Sequence, residues 1–433
     1  MSSTATRTAL EPLRALRYDQ SKVDLADVVA PPYDVVTAPQ RAALIRRCEY
    51  SIVRLELPDD ANAQAAATLM RQWVRDGVLA RDDRPALWWH EQTFTAPDGV
   101  DRARRGFFAA VRLSPYDEGR VHPHEHTHAS VRAERLELMR ATRANLSPIL
   151  GVYDDPDGTA AGRLGSAAAV DPDMQATDFD GTVHRFWEVT DPAVIGAVRD
   201  SMAEREILIA DGHHRYETAL AYRDERRAAE GDPEGDRPYD FILMCLCNLR
   251  DEGLAIYPTH RVVMSHRDVD RRFTQAFSIR ELPAGTPAAV VEAELNEIPI
   301  DTIAFAVWRG SQHPAMIAEL SDPSAAMLGM PGVPAAVRSI DAAVLQALVL
   351  SPLLGLDGEQ FLTTDGVRYL RGLDQATALV DSGEAGAAFL LRAPTVEQVQ
   401  GVTGSGSVMP QKSTYFFPKL WSGFLLNPLS DDD

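Results

Sequence analysis

Lysine is almost missing from this chain of 433 residues: of its 43 basic side chains only Lys22, Lys412 and Lys419 are lysines, and the other 40 are arginines. Where arginine serves wherever a plain positive charge is needed, each remaining lysine merits attention as a compact point charge. Positive charge as a whole is also short, since 63 acidic residues leave a net charge of −20. That balance opposes coating a phosphate backbone or an anionic membrane, while leaving room for a local pocket that takes one small anion. No apolar run approaches the length of a membrane span, and MSSTATRTALEPLRALRYD lacks the apolar stretch of a signal peptide, so the expected location is the cytoplasm. Three cysteines, Cys48, Cys245 and Cys247, are too few for a disulfide framework. Cys245 and Cys247 sit inside FILMCLCNL, which reads as a buried strand carrying two core thiols, because no second pair completes a zinc site.

What is present has ordinary globular proportions, with 45% hydrophobic residues. VVAPPYDVV (28–36) is a rigid extended turn, because paired prolines exclude helix. Helical periodicity is expected over 39–48, 61–78, 130–144, 192–204, 214–229, 267–277, 340–351 and 394–401. Strands are expected over 86–95 and 104–113, joined by a hairpin turn at Asp98-Gly99, and near 206–210, 240–248, 254–258 and 302–308. Helices and strands mix without a strict βαβ rhythm, so the fold class is α+β, a mixed sheet with flanking helices. The acidic, Gly- and Pro-bearing segment 230–240 is the best linker candidate, which divides the chain into lobes 1–235 and 236–433.

The chemistry concentrates at ADGHHRYETAL, where a short strand runs into Asp211-Gly212-His213-His214-Arg215 and then a helix. Gly212 permits a tight turn or close approach of a ligand. His213, His214 and Arg215 fall in the first helical turn, where free backbone N–H groups, the helix dipole and a guanidinium fork favour a phosphate. Asp211 either caps the helix or holds a metal ion that accompanies the phosphate. A second cluster, HPHEHTH, places His122, His124, His126 and His128 at alternate positions, open to three readings: a transition-metal site, substrate contact by one or two members, or a solvated segment. Glu125 among them is a candidate general base or Mg²⁺ ligand. Thr259, His260 and Arg261 emerge at a strand end, either as anion contacts or as a plain loop. In MPQKSTYFFPKLWSGF, Lys412, Ser413 and Thr414 suggest phosphate binding without the glycine pattern of a Walker site, while the aromatics serve packing or ligand contact.

Together VVAPPYDVV, His-Glu-x-Thr at 124–127, NLSPIL at 145–150, ADGHHRYETAL, PTHR at 258–261 and MPQKSTYFFPK resemble the domain-of-unknown-function 1015 family along nearly the whole chain, so 1–433 is read as one family unit. The Asp-Gly-His-His-Arg turn is also similar to the phosphate-binding turn of the ParB and sulfiredoxin-like superfamily, which includes free serine kinases. That resemblance implies that Gly212, His213, His214 and Arg215 bind the phosphates of ATP or ADP, with Mg²⁺ at Asp211 and Glu125. Sulfiredoxin's reactive cysteine has no counterpart, and the net charge opposes a DNA-binding role. The expectation is a small-molecule kinase acting on free serine or a similar hydroxyl compound, with Glu125, Asp211 and His213 catalytic, and His260, Arg261, Lys412, Ser413 and Thr414 as further anion contacts. Its rivals are a metal-dependent hydrolase or phosphatase using the histidine cluster, and a nucleotide-responsive regulator without turnover. Oligomeric state is left open.

Overall fold

A computed structural model of the chain describes residues 10–125, 129–265, 276–356, 360–363, 365–410 and 412–430. They divide into two compact units, one from Met1–Pro123, Thr127–Ala255 and Pro418–Asp433, the other from His124–His126 and Ile256–Phe417.

The first unit is built on a mixed nine-stranded sheet. Its strands are β1 (Leu10–Glu11), β2 (Leu87–Thr95), β3 (Asp101–Arg112), β4 (Val121–His122), β5 (Ile149–Tyr153), β6 (Met174–Thr177), β7 (Val183–Val189), β8 (Ile207–Asp211) and β9 (Phe241–Asn248). Their order is β4-β8-β5-β9-β3-β2-β7-β6, with β1 added along β3. The pairs β4/β8 and β5/β9 are parallel and the rest antiparallel. β9 is apolar from Phe241 to Cys247 because it lies between two strands with both faces covered, the condition that produces an unbroken hydrophobic run. Its central place also puts the division between units at 255/256 rather than at the 230–240 segment, which is a loop within the first unit.

Alternation along the strands gives the sheet two different buried faces. One face, with Leu87, Trp89, Phe107, Val111, Ile242 and Met244, joins Val198 and Met202 of helix Pro192–Met202 and Tyr216 and Ala219 of helix His213–Glu230 in a single apolar core. The opposite face carries His90, Gln92, Arg104, Phe108, His184, Phe186, Cys245 and Cys247, all buried. Here the cysteines are free thiols. Phe424 packs on the His184 and Phe186 rings, each with centroids 4.8 Å apart, so the C-terminal segment covers this face. Helix α1 (Ala63–Arg75) is capped by Asn62 on the Ala65 amide at 3.0 Å and buries Ala66, Met70 and Trp73 at helical spacing. It packs against α2 (Ala129–Thr142), which packs in turn against the helix His213–Glu230.

The second unit holds a six-stranded antiparallel sheet of β10 (His260–Val263), β11 (Phe277–Leu282), β12 (Ala304–Trp308), β13 (Ala315–Leu320), β14 (Val367–Leu370) and β15 (Ala387–Leu390), in the order β11-β13-β12-β15-β10-β14. Helices Ala288–Asn296 and Leu373–Asp381 cover its apolar face. The expected helix over 340–351 is present and contains a π turn at Gln346–Leu350. The one expected over 267–277 lies outside the described residues, except at its end, where Phe277 begins β11. The α+β class with a mixed sheet and flanking helices therefore holds.

The polar face contains a buried chain in which Asp178 bonds His184 at 3.0 Å and His184 meets His90 at 3.4 Å. Burial lowers the pKa of His90, reinforced by His184 and Arg104. Burial also lowers that of His184, against the opposing pull of Asp178. Both folded pKa values lie below the unfolded histidine value of about 6.5, so the unfolded chain takes up protons first as the pH falls. Their stability contribution is complete above about pH 6.5 and is lost below it, by up to about 1.4 kcal/mol per pH unit for each histidine. Unfolding midpoints in urea between pH 7.5 and 5 are expected to fall on acidification, with a shallower slope in His90→Phe.

Candidate functional site

β8 is apolar until Asp211, where the strand ends and the helix His213–Glu230 begins at once. The reversal is made by Gly212, with φ of +100°. A Cβ at this position would lie 2.9 Å from Arg215 Nε and 3.1 Å from Cζ, so glycine is required by both its backbone angle and the guanidinium folded over it. Gly212 offers no side chain to cap the helix, and the first turn carries no acidic residue. The charges nearest the positive end of this eighteen-residue helix are therefore those gathered around Asp211.

Asp211 is held between two cations. One carboxylate oxygen accepts from Arg215 Nη2 at 2.7 Å and the other from Lys419 Nζ. Burial acts to raise its pKa, but Lys419 and Arg215, helped by His213, overcome this and hold the carboxylate well below its usual range. Arg215 also donates from Nη1 to the Pro148 carbonyl. Burial opposes its charge, and Asp211, Asp34, Tyr33 and Glu56 restore it. One carboxylate facing two cations leaves the Asp211–Arg215–Lys419 triad with a net positive charge beside the helix N-terminus. With both oxygens of Asp211 occupied by cations, this residue does not fit the Mg²⁺-ligand role expected of it, and its service is to orient Lys419 and Arg215.

Lys419 is brought here by the C-terminal segment. Gln92 donates to its carbonyl at 3.3 Å, and buried Arg104 donates to Gln92 from Nε at 3.0 Å. Ser422 exchanges two backbone hydrogen bonds with Ala30 in the Pro-Pro-Tyr-Asp turn, at 2.8 and 3.1 Å. Behind Arg215 lies a cavity of about 40 Å³, lined by Tyr33, Glu56, Arg135, Asn145 and Thr218 as well as Arg215. Asn145 Nδ2 and Thr218 Oγ1 are buried there without a partner among the described residues, and the volume accommodates about two waters. Burial pushes the Tyr33 hydroxyl up to about 12, with Arg215 opposing. Residues of APPYD, NLSPIL, DGHHR and the C-terminal motif therefore meet around one guanidinium.

The other expected residues form a group within the second unit. His124 Nε2 lies 2.7 Å from Thr414 Oγ1 and 3.7 Å from a Glu125 oxygen. Arg261 donates to the carbonyls of Thr259 and, at 3.0 Å, Lys412, with its guanidinium over the Tyr369 ring. Burial pulls the Arg261 pKa down to about 10, opposed by Tyr369 and Glu125. Lys412 Nζ also stands over Tyr369, 4.9 Å from the ring centre. Ser413 is buried, and its hydroxyl has no partner among the described residues. His260 is a strand residue whose Nδ1 accepts from the Leu391 amide at 3.2 Å, and burial, then Arg261, pulls its pKa down to about 4. With Nδ1 accepting, the proton of the neutral ring lies on Nε2.

His122 belongs to β4 and lies 3.0 Å from Glu206, whereas His124 belongs to the second unit. The histidine cluster is thus divided, and His126 and His128 lie outside the described residues. Among the described residues, no group of three His, Cys, Asp or Glu side chains is placed to hold a metal ion. Sequence reasoning singled out Lys412 and passed over Lys419, although both share the same rarity and motif. It also quoted NLSPIL without giving Asn145 a role.

The described architecture is that of an α+β protein with a strand-turn-helix element at the edge of its principal polar cluster. Residues 10–318 match the profile of a family described as protein of unknown function (DUF1015), and the chain belongs to that family. No curated protein matches it. Solved structures similar to it include a free serine kinase in complex with AMP, 14% identical with a TM-score of 0.38, over 75% of this chain and 91% of that one. A conserved hypothetical protein from Pyrococcus furiosus is 16% identical with a TM-score of 0.35, over 73% and 92% respectively. SbnI with a C-terminal truncation, from Staphylococcus aureus, is 11% identical with a TM-score of 0.35, over 74% and 90%. No helix among the described residues is long and apolar enough to cross a membrane.

Removing one cation from Asp211 leaves a largely buried carboxylate with a single partner. Lys419→Met is expected to cost about 2 kcal/mol in urea unfolding at pH 7. In an Asp211→Asn background the same change is expected to cost much less, because the charge that needs Lys419 is gone.

Proposed function

We propose that the turn from Asp211 to Arg215 binds the phosphates of ATP or ADP and that the protein is a nucleotide-dependent kinase of a small hydroxyl compound, free serine or a similar metabolite. The observation that carries this reading is the uncapped helix N-terminus at Gly212 beside a net-positive, buried Asp211–Arg215–Lys419 cluster. Such a site offers backbone N–H groups and fixed cations to an anion without reorganising to receive it.

In this reading His213 and His214 supply the first helical turn that receives the phosphates. Lys419 and Arg215, held by Asp211, neutralise charge that develops as the terminal phosphoryl group moves. The acceptor oxygen forms a bond to the terminal phosphorus while the bond from that phosphorus to its bridging oxygen breaks, so ATP leaves as ADP, or ADP as AMP. The acceptor's hydroxyl proton passes to a general base, a role for which Glu125 is the residue the sequence offers. Arg261, Lys412, Ser413 and Thr414 are assigned as further anion contacts. A divalent ion arriving with the nucleotide would supply charge neutralisation at the phosphates. Nothing in the assignment requires Asp211 to bind it.

The direct test is incubation with serine and terminally labelled ATP or ADP, with phosphoserine as the expected product. Absence both of transfer to any hydroxy amino acid and of thermal stabilisation by nucleotide would overturn the proposal, while stabilisation without transfer would favour a nucleotide-responsive regulator. Glu125→Gln is expected to lower kcat by about 10²–10⁴ with nucleotide binding retained. His214→Ala, at a half-buried position, is expected to weaken nucleotide binding without loss of fold.

A further inference from the structure

A two-stranded ribbon, Leu16–Tyr18 with Leu79–Arg81, ends at Asp82-Asp83-Arg84-Pro85 before the chain enters β2. Asp82 is fixed there through its backbone, its amide donating to the Ala15 carbonyl at 2.8 Å and its carbonyl accepting from Arg14 Nε at 3.0 Å. Its side chain lines a mainly polar cavity of about 410 Å³ in the first unit, to which β7 contributes Glu188.

Most of the charges around this cavity are already engaged. Asp19 accepts from the amide and the hydroxyl of Ser21 at 2.9 and 2.7 Å, and Asp173 accepts from the Glu188 amide at 2.7 Å. Arg17 donates from Nε to Asp82 Oδ1 at 2.6 Å and lies 4.8 Å from the centre of the Trp88 ring. Arg81 donates to the Ser430 carbonyl at 3.3 Å. Three groups are left over. Asp82 Oδ2 is buried without a partner among the described residues, on a side chain only 3% exposed, where bulk water does not compensate it. The half-buried Glu188 carboxylate and the exposed Arg84 guanidinium make no hydrogen bond or ion pair among the described residues, and although both line the cavity they do not pair with each other. Burial raises the pKa of Glu188, as do Asp82 and Asp173, with Arg17 and Arg84 opposing. Two carboxylates within electrostatic reach of each other are thus served by one engaged cation, while a second cation stands apart on the same lining.

We infer that this cavity binds a free amino acid, whose ammonium donates to Glu188 with the Asp82 charge behind it and whose carboxylate accepts from Arg84. A zwitterion meets both unengaged charges and leaves the net charge of the cavity unaltered. An ammonium supplies N–H donors to a carboxylate that has none, and a guanidinium takes a carboxylate through paired N–H donors. A phosphate would set its charge against Asp82 and Glu188, and a bare metal ion finds no group of three ligating side chains among the described residues. The volume falls within the range of small-ligand pockets. None of the residues assigned to the nucleotide takes part, so the inference does not rest on the kinase reading.

Calorimetric titration of the full chain with each standard amino acid, and with the decarboxylated amine of the tightest binder, tests it. At least one amino acid is expected to bind, and its amine about tenfold or more weaker, because the amine forfeits the contact with Arg84. Glu188→Gln is expected to weaken both compounds by about tenfold or more. Arg84→Ala is expected to weaken the amino acid to a similar extent and to leave the affinity for its amine unchanged. Neither variant is expected to alter ADP affinity, which separates this cavity from the Gly212 turn, and an unchanged Tm in each confirms that the fold is kept. The absence of binding by any standard amino acid overturns the proposal. So does an affinity equal in both variants and the natural chain, which assigns the amino acid to another site, and so does an amine bound as tightly as its amino acid.

Discussion

A carboxylate removed from water must be compensated, and Asp211 is compensated twice. Its two oxygens hold Arg215, four residues further along the chain, and Lys419, which is 208 residues away in sequence. The first bond folds the guanidinium over Gly212 and fixes the strand-to-helix reversal. The second requires the chain to return to the first unit after building the second, and to lay the segment from Lys419 to Phe424 against the nine-stranded sheet. Trp421 and Phe424 then cover the polar face, and Gln92 and Arg104 hold the Lys419 backbone in place. The electrostatic requirement of one side chain thus organises the connectivity of the unit.

In the proposed reading, the same arrangement prepares the turn for an anion. Lysine and arginine lose side-chain freedom when they order around a ligand, but here Asp211 has already ordered both. It leaves net positive charge at a helix N-terminus that has neither a capping side chain nor an acid in its first turn. The small polar cavity behind Arg215, with Asn145 and Thr218 turned into it, supports the guanidinium from its other side. Positioning of this kind is what phosphoryl transfer chiefly asks of a protein, since the moving group needs charge neutralisation more than covalent assistance.

Much of the local structure is legible in the sequence, because it is written in local signals. The apolar run FILMCLC becomes the strand Phe241–Asn248, Asp98-Gly99 turns the hairpin between β2 and β3, and the DGHHR segment opens a helix. What is not legible depends on contacts far apart in the chain. Nothing near residue 241 says that this strand sits mid-sheet, so the acidic loop before it imitates a domain boundary. Lys412 and Lys419 are indistinguishable by rarity, and only the return of the C-terminal segment decides which meets Asp211. His260 has the residue type of a ligand contact, yet a strand register places its ring against the Leu391 amide. Alternation suggested one histidine ladder, whereas His122 and His124 belong to different units. In each case the residue's chemistry was readable and its surroundings were not.

The most direct test of the central claim is a crystal structure of the protein with ADP. The account predicts a phosphate oxygen within hydrogen-bond distance of the backbone amides at His213 and His214, with Asp211, Arg215 and Lys419 still joined. Phosphates bound elsewhere, with the Gly212 turn making no contact to them, would contradict it.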